Sequence, residues 1–135
     1  MAKTEKKCDS LFWRAARAKH GSNCKAKGQG AVECYGDVQV HHVGYRWRNS
    51  CRFELDLAIE LCGDHTSDRK FSAHGTPKKF IKWFGNKYPE RYMTLCERRN
   101  LIIPDYEMDY DAIYAELLAE IRKEVPGYTL GMRVA

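Results

Sequence analysis

Apolar positions near the end of the chain keep helical spacing. Tyr110, Ile113, Tyr114, Leu117, Leu118 and Ile121 share one face, and Pro126-Gly127 closes the run, so a helix is predicted over residues 109–125. A second amphipathic stretch covers residues 9–20. Leu11 with Ala15 and Phe12 with Ala16 repeat at i, i+4, Asp9 or Ser10 is placed to cap, Gly21 stops it, and Arg14 and Arg17 fall on the exposed face. Residues 21–34 are polar and glycine-rich, which reads as a loop or knuckle. Over residues 37–43 the period changes to two, with Val38 and Val40 on one side, which predicts a strand. Residues 53–61 are mostly apolar and fit either a second strand or a turn leading into a helix. Pro77 opens a further helix, Lys78 to Phe84, that Gly85-Asn86 should end, and residues 89–98 predict another. Helices and strands in this order imply an α+β fold.

A chain of 135 residues has room for one compact domain, and 44% hydrophobic residues are enough to give it a core. There is no run of 18 apolar residues, so no membrane partner is expected. The charged start, Met1 to Lys7, leads into no apolar stretch and does not read as a secretory signal. The cytoplasm is therefore the expected location (that of the host cell for a phage-encoded chain). In a reducing compartment, the six cysteines read as metal ligands or buried thiols rather than a disulfide framework.

Charge is unevenly spread. Residues 1–52 carry eleven Lys/Arg against four Asp/Glu, whereas residues 104–135 carry three against seven. A basic half beside an acidic tail suits a polyanionic partner, although an ordinary solvated surface has the same look.

The candidate chemistry lies between these regions. Adjacent side chains on a strand point to opposite faces, so His41 and His42 cannot share one apolar site; one can bind a metal while the other addresses a water. Cys24 and Cys34 precede the pair and Cys62-x-x-His65 follows it. Together they could close a four-coordinate Zn²⁺ site, the bland alternative being small unligated core residues. Cys8, Cys51 and Cys96 stand apart as non-ligands. The loop Tyr45-Arg46-Trp47-Arg48 mixes arginines suited to phosphate oxygens with rings that could stack on a base or brace the loop. Lys78, Lys79 and Lys82 could track a nucleic-acid backbone from one side of their helix, or form its wet face.

His41-His42-Val43, Arg52-Phe53, Leu61-Cys62-x-x-His65 and Ser72-Ala73-His74-Gly75-Thr76-Pro77-x-x-Phe80-x-x-Trp83, in that order, resemble phage-type HNH (ββα-metal, or His-Me finger) endonucleases, including the NinG-like recombination proteins. The resemblance covers roughly residues 8–95. It implies a small ββα-metal core with a structural zinc knuckle and flanking helices: an HNH-like nuclease domain over residues 1–100, and a C-terminal acidic helical extension over 101–135 packed on it. The implied activity is metal-dependent hydrolysis of DNA phosphodiester bonds in phage recombination or replication. His41 would hold a catalytic Mg²⁺ or Mn²⁺, and His42 would be the general base. From the residues themselves, Cys24, Cys34, Cys62 and His65 are the candidates for structural zinc, and Arg46, Arg48, Lys78 and Lys79 the candidates for DNA contact. An imidazole with an ordinary pKa of about 6.5 suits the base role at neutral pH.

Two positions differ from the family pattern. Thr66 stands where a second metal-binding histidine usually follows the first. His74, or an oxygen from Asp64 or Asp68, is then the substitute ligand. The asparagine that orients the base is missing from Asp56-Leu57-Ala58, and Asn49 lies in the preceding loop. These departures support an alternative, a zinc-stabilised DNA-binding or adaptor protein without catalysis. Possible partners beyond DNA are a second copy in a homodimer or recombination and replication proteins, with the C-terminal helix as a contact.

Overall fold

A computed structural model describes residues 3–132. Among them the fold is α+β, with six helices around a two-stranded antiparallel sheet. In chain order the elements are α1 (Glu5–His20), β1 (Gln39–His42), α2 (Asn49–Arg52), β2 (Ala58–Leu61), α3 (Gly63–Ser67), α4 (Pro77–Lys87), α5 (Pro89–Arg98) and α6 (Tyr110–Glu124). No helix among the described residues is long and apolar enough to cross a membrane.

The hairpin sits between two hydrophobic clusters. Its register pairs Gln39 with Leu61, Val40 with Glu60, His41 with Ile59 and His42 with Ala58. Because side chains alternate, Val40 and Ala58 join Leu11, Phe12, Ala15 and Ala16 of α1 and Leu117 and Ile121 of α6. Ile59 and Leu61 join Phe71, Phe80, Phe84 and Leu95 on the other side, under α4 and α5. A strand with helices on both faces has no solvated side, which explains why β2 is buried at every position. The same alternation sends His41 and His42 toward different clusters.

Several boundaries depart from the patterning. α1 starts four residues before Asp9, where Thr4 Oγ1 accepts the Lys7 N–H at 3.2 Å. Asp9 is therefore no cap. It lies within the helix, drawn into an ion pair with Arg52. Arg14 and Arg17, expected on the exposed face, are half-buried, and Arg17 reaches the Val38 carbonyl at 3.4 Å. Of the two readings of residues 53–61, the strand holds only from Ala58, after a single 3₁₀ turn over Leu55–Leu57. α4 continues through Gly85 and Asn86 to Lys87. A side chain at Gly85 would press on the ring of Tyr92, so that glycine serves the α4–α5 contact rather than a helix stop.

Residues 110–124 form the expected helix, which packs on α1; the Cys8 thiol donates to the Tyr110 carbonyl at 3.3 Å across that contact.

Candidate functional site

Two groups of chemically active side chains flank the hairpin. The first lies beyond the end of β2. Cys62 caps α3, with its sulfur accepting the His65 N–H at 3.4 Å, and this turn brings His65 back over Cys62. Two loops close on that turn. The Lys25 N–H donates to the Glu60 carbonyl at 2.9 Å and holds Cys24 in place, while the Asp64 N–H donates to the Tyr35 carbonyl at 3.2 Å beside Cys34. Gly36 makes the second approach possible: it takes a positive φ of 81° and lies against the Gly63 backbone, where a β-carbon would crowd.

The ligand atoms of Cys24, Cys34, Cys62 and His65 all lie within 4.8 Å of one another. His65 Nδ1 is 3.6 Å from Cys24 Sγ, 3.5 Å from Cys34 Sγ and 3.1 Å from Cys62 Sγ. A tetrahedron with bonds of about 2.3 Å to sulfur and about 2.0 Å to nitrogen puts ligand nitrogen and sulfur roughly 3.6 Å apart. The spacing therefore fits a metal such as zinc. The other ring nitrogen, Nε2, is 3.3 Å from the Gln29 carbonyl. Donating there fixes the tautomer that leaves Nδ1 free to ligate.

The thiols point the same way. Burial works to raise Cys62, but hydrogen bonds from the His65 N–H and ring and from the Tyr35 backbone lower it to about 7. Cys34 is pushed up to about 12 by desolvation and by hydrogen bonds with Cys62 and Cys24. One thiol ionises readily and a neighbour then resists, a conflict that a bound cation relieves.

The second group lines a cleft of about 530 Å³ between β1, the 44–48 loop and the start of α4. His41 faces α4. Its ring is 4.9 Å from that of His74 and 6.1 Å from that of Phe80, both edge-on. Burial, reinforced by the positive charge of His74 and His42 when protonated, lowers its pKa to about 4. The imidazole is neutral at physiological pH and its lone pair is available.

His42 faces α1 and stacks on Phe12, with centroids 5.0 Å apart and planes 18° from parallel. Burial lowers its pKa too; Asp9 and a backbone hydrogen bond to Arg52 work against that shift, while Arg46 and Arg52 add to it. Its Nε2 is buried without a hydrogen-bond partner. An unpartnered buried polar atom costs about 1–3 kcal/mol.

Beneath His42, Asp9 receives Arg52 in a two-pronged pair, Nε to Oδ1 at 3.0 Å and Nη2 to Oδ2 at 2.5 Å; Glu5 bonds the same guanidinium. Arg46, 62% exposed, reaches Asp9 Oδ2 from the cleft mouth at 2.9 Å.

No family model, curated protein or solved structure matches the chain.

The other sequence candidates fall unevenly. Thr66 Oγ1 donates to the Cys62 carbonyl at 2.8 Å, so its hydroxyl is committed within α3. Asp68 Oδ1 accepts the Lys70 N–H at 2.6 Å and caps its own loop. Among the described residues, neither Asp64 nor Asp68 forms a ligand-spaced group of three with His41 and His74. Asn49 Nδ2 donates to the Ile103 carbonyl at 2.9 Å and Asp105 Oδ1 at 2.7 Å, so it braces the C-terminal segment. Lys78 borders a groove beside the cleft, while Lys79 borders a separate hollow with Gln29 and Trp83; Lys82 touches both. The lysines thus do not form one stripe. Arg48 lies over the Trp47 ring at 4.9 Å. Sequence reasoning missed the Asp9–Arg52 pair, because partners 43 positions apart leave no local pattern.

Proposed function

We propose that the chain is a metal-dependent endonuclease that hydrolyses DNA phosphodiester bonds, with an HNH-type site formed by His41, His42 and His74 and a separate structural zinc at Cys24, Cys34, Cys62 and His65. One observation carries this reading: neighbouring imidazoles on β1 line one cleft, the first against His74, the second neutral with an orphaned Nε2.

The donor set fits a divalent ion in part. His41 and His74 would hold the ion through two imidazole nitrogens, a ligand set that leaves positions open for water and substrate. Of Mg²⁺ and Mn²⁺, the transition ion accepts imidazole more readily, since Mg²⁺ holds to oxygen ligands. When bound, the ion supplies Lewis-acid stabilisation of the charge that builds on the phosphate. His42 Nε2, the ring nitrogen left without a partner, would accept the proton of the attacking water. The stack on Phe12 and the backbone bond to Arg52 hold the ring in place. Arg46 offers its exposed guanidinium to a phosphate oxygen at the cleft mouth.

Plasmid nicking with Mn²⁺ or Mg²⁺ tests this. Cutting by the parent chain and its loss in His42→Ala are expected; equal cutting by both would remove His42 from the chemistry. The commitment of Thr66 to the Cys62 carbonyl favours a second reading, a zinc-stabilised DNA-binding or adaptor protein. It predicts salt-sensitive binding without cleavage under any divalent ion.

A further inference from the structure

The loop after β1 carries two features that the proposed chemistry does not use. Tyr45 and Trp47 are 59% and 71% exposed, yet their rings stack on each other at 5.3 Å, 22° from parallel. Tyr45 also has a positive φ of 70°. A bulky residue rarely adopts that conformation, and strain of this kind collects at functional sites. The adjacent Gly44 could have taken the turn more cheaply. It is instead packed under Cys51, where a β-carbon would lie 2.8 Å from the thiol, and the strain falls on the tyrosine.

This pair stands at a junction. Tyr45, Pro77 and Ile81 line both the histidine cleft and a neighbouring groove of about 720 Å³ that runs along α4 past Lys78 and Lys82 to Tyr92. Neither lining contains a carboxylate, and four cationic side chains (Arg46, Arg48, Lys78 and Lys82) border the path or the rings. The charge complements a phosphodiester backbone rather than a typical protein surface.

We infer that this path is a track for an unpaired DNA strand, with Tyr45 and Trp47 as the stacking platform for a base next to the scissile phosphate; the inference rests on the nuclease reading for its substrate. In an intact duplex both faces of each base are covered by its neighbours, whereas an unpaired base has a free face to lay on an exposed ring. The platform therefore selects single strands, or the single-stranded parts of branched DNA, over plain duplex.

Fluorescence anisotropy with the zinc-loaded full chain, without added divalent ion, tests the track. The probes are a labelled single strand of about 15 nucleotides and its duplex at matched salt. The parent is expected to bind the single strand about tenfold more tightly than the duplex. Trp47→Ala should lose about five- to tenfold on the single strand and less than about twofold on the duplex, as one lost stacking contact implies. Tyr45→Gly should weaken single-strand binding while raising the melting temperature, which a misfolded variant would not do. Equal affinity for the two probes, or indifference of single-strand binding to Trp47→Ala, overturns the inference and leaves the rings as a protein-docking surface. Selective binding by a chain that cuts nothing would instead sink the nuclease reading and leave the track standing. His42-dependent cutting with no effect of Trp47→Ala would do the reverse.

Discussion

The Cys24–Cys34–Cys62–His65 cluster and the His41–His42–His74 cleft are separated by the rings of Phe71 and Phe80, which touch His65 on one side and His41 on the other. They are built in opposite ways. At the first, four ligand atoms converge, the histidine tautomer is fixed by the Gln29 carbonyl, and two loops are pinned by backbone bonds. At the second, two imidazoles meet across an open cleft and the Nε2 of a third ring has no partner. A closed set of four satisfies a metal and leaves no position for substrate; an open pair leaves positions to fill. Both clusters are rich in metal-binding side chains, but among the described residues only the first brings four ligand atoms within reach of one ion.

The largest expected effect breaks the closed member. Removing its metal with a chelator, or replacing Cys62 by Ser, should abolish cooperative unfolding followed by near-ultraviolet circular dichroism. Structural zinc is worth about 10–16 kcal/mol in small domains, against a total stability of about 5–15 kcal/mol. A chelated protein that still melts cooperatively would put the two groups on an equal footing.

Next comes the open member. His42→Phe keeps a ring on Phe12 and removes the orphaned nitrogen together with the bond to Arg52, two effects of opposite sign, so thermal melting should change by less than about 1 kcal/mol. In a nicking assay the same variant should lose about 10²–10⁴-fold in rate. Stability falling by more than that, together with activity, would mean that His42 is there for packing.

Acid should also separate the regions. With divalent ion withheld, folded His41 has its pKa lowered to about 4 by burial, against about 6.5 unfolded. Between those values the unfolded chain binds more protons. Stability therefore falls as pH drops from about 6.5 toward 4, by about 3 kcal/mol at most, and is insensitive to this group above that window. Urea titrations of the parent and His41→Phe should diverge there; parallel curves would contradict the burial of His41.

A smaller effect tests the brace under His42. Asp9→Asn leaves Arg52, which is 8% exposed, with only Glu5 as an anionic partner among the described residues. About 2 kcal/mol of stability should be lost in urea, less than the full cost of orphaning a buried charge because Glu5 remains.

Much of this contrast could be read in the sequence. Cys62-x-x-His65 announces a ligand turn at local spacing, and the structure brings Cys24 and Cys34 to it despite the long gap between them. The two-residue period around His41-His42 correctly sends the rings to opposite faces. What escaped has identifiable causes. α2 and α3 are four and five residues long, too short to show a helical period. The true start of α1 was hidden because Asp9 looks like a cap while its role depends on Arg52, far along the chain. The positive φ of Tyr45 could not be foreseen next to a glycine that ordinarily takes such a turn. The pairing of His74 with His41 depends on how α3 and the following loop return to the hairpin: the His74 N–H donates to the Thr66 carbonyl at 2.9 Å.

Native mass spectrometry of the chain purified without chelator tests the division into closed and open centres most directly. It should show one retained zinc per chain, a second ion only after Mn²⁺ is added, and loss of that second ion alone in His41→Ala. No retained metal, two ions held equally firmly, or a second ion indifferent to His41→Ala would contradict it.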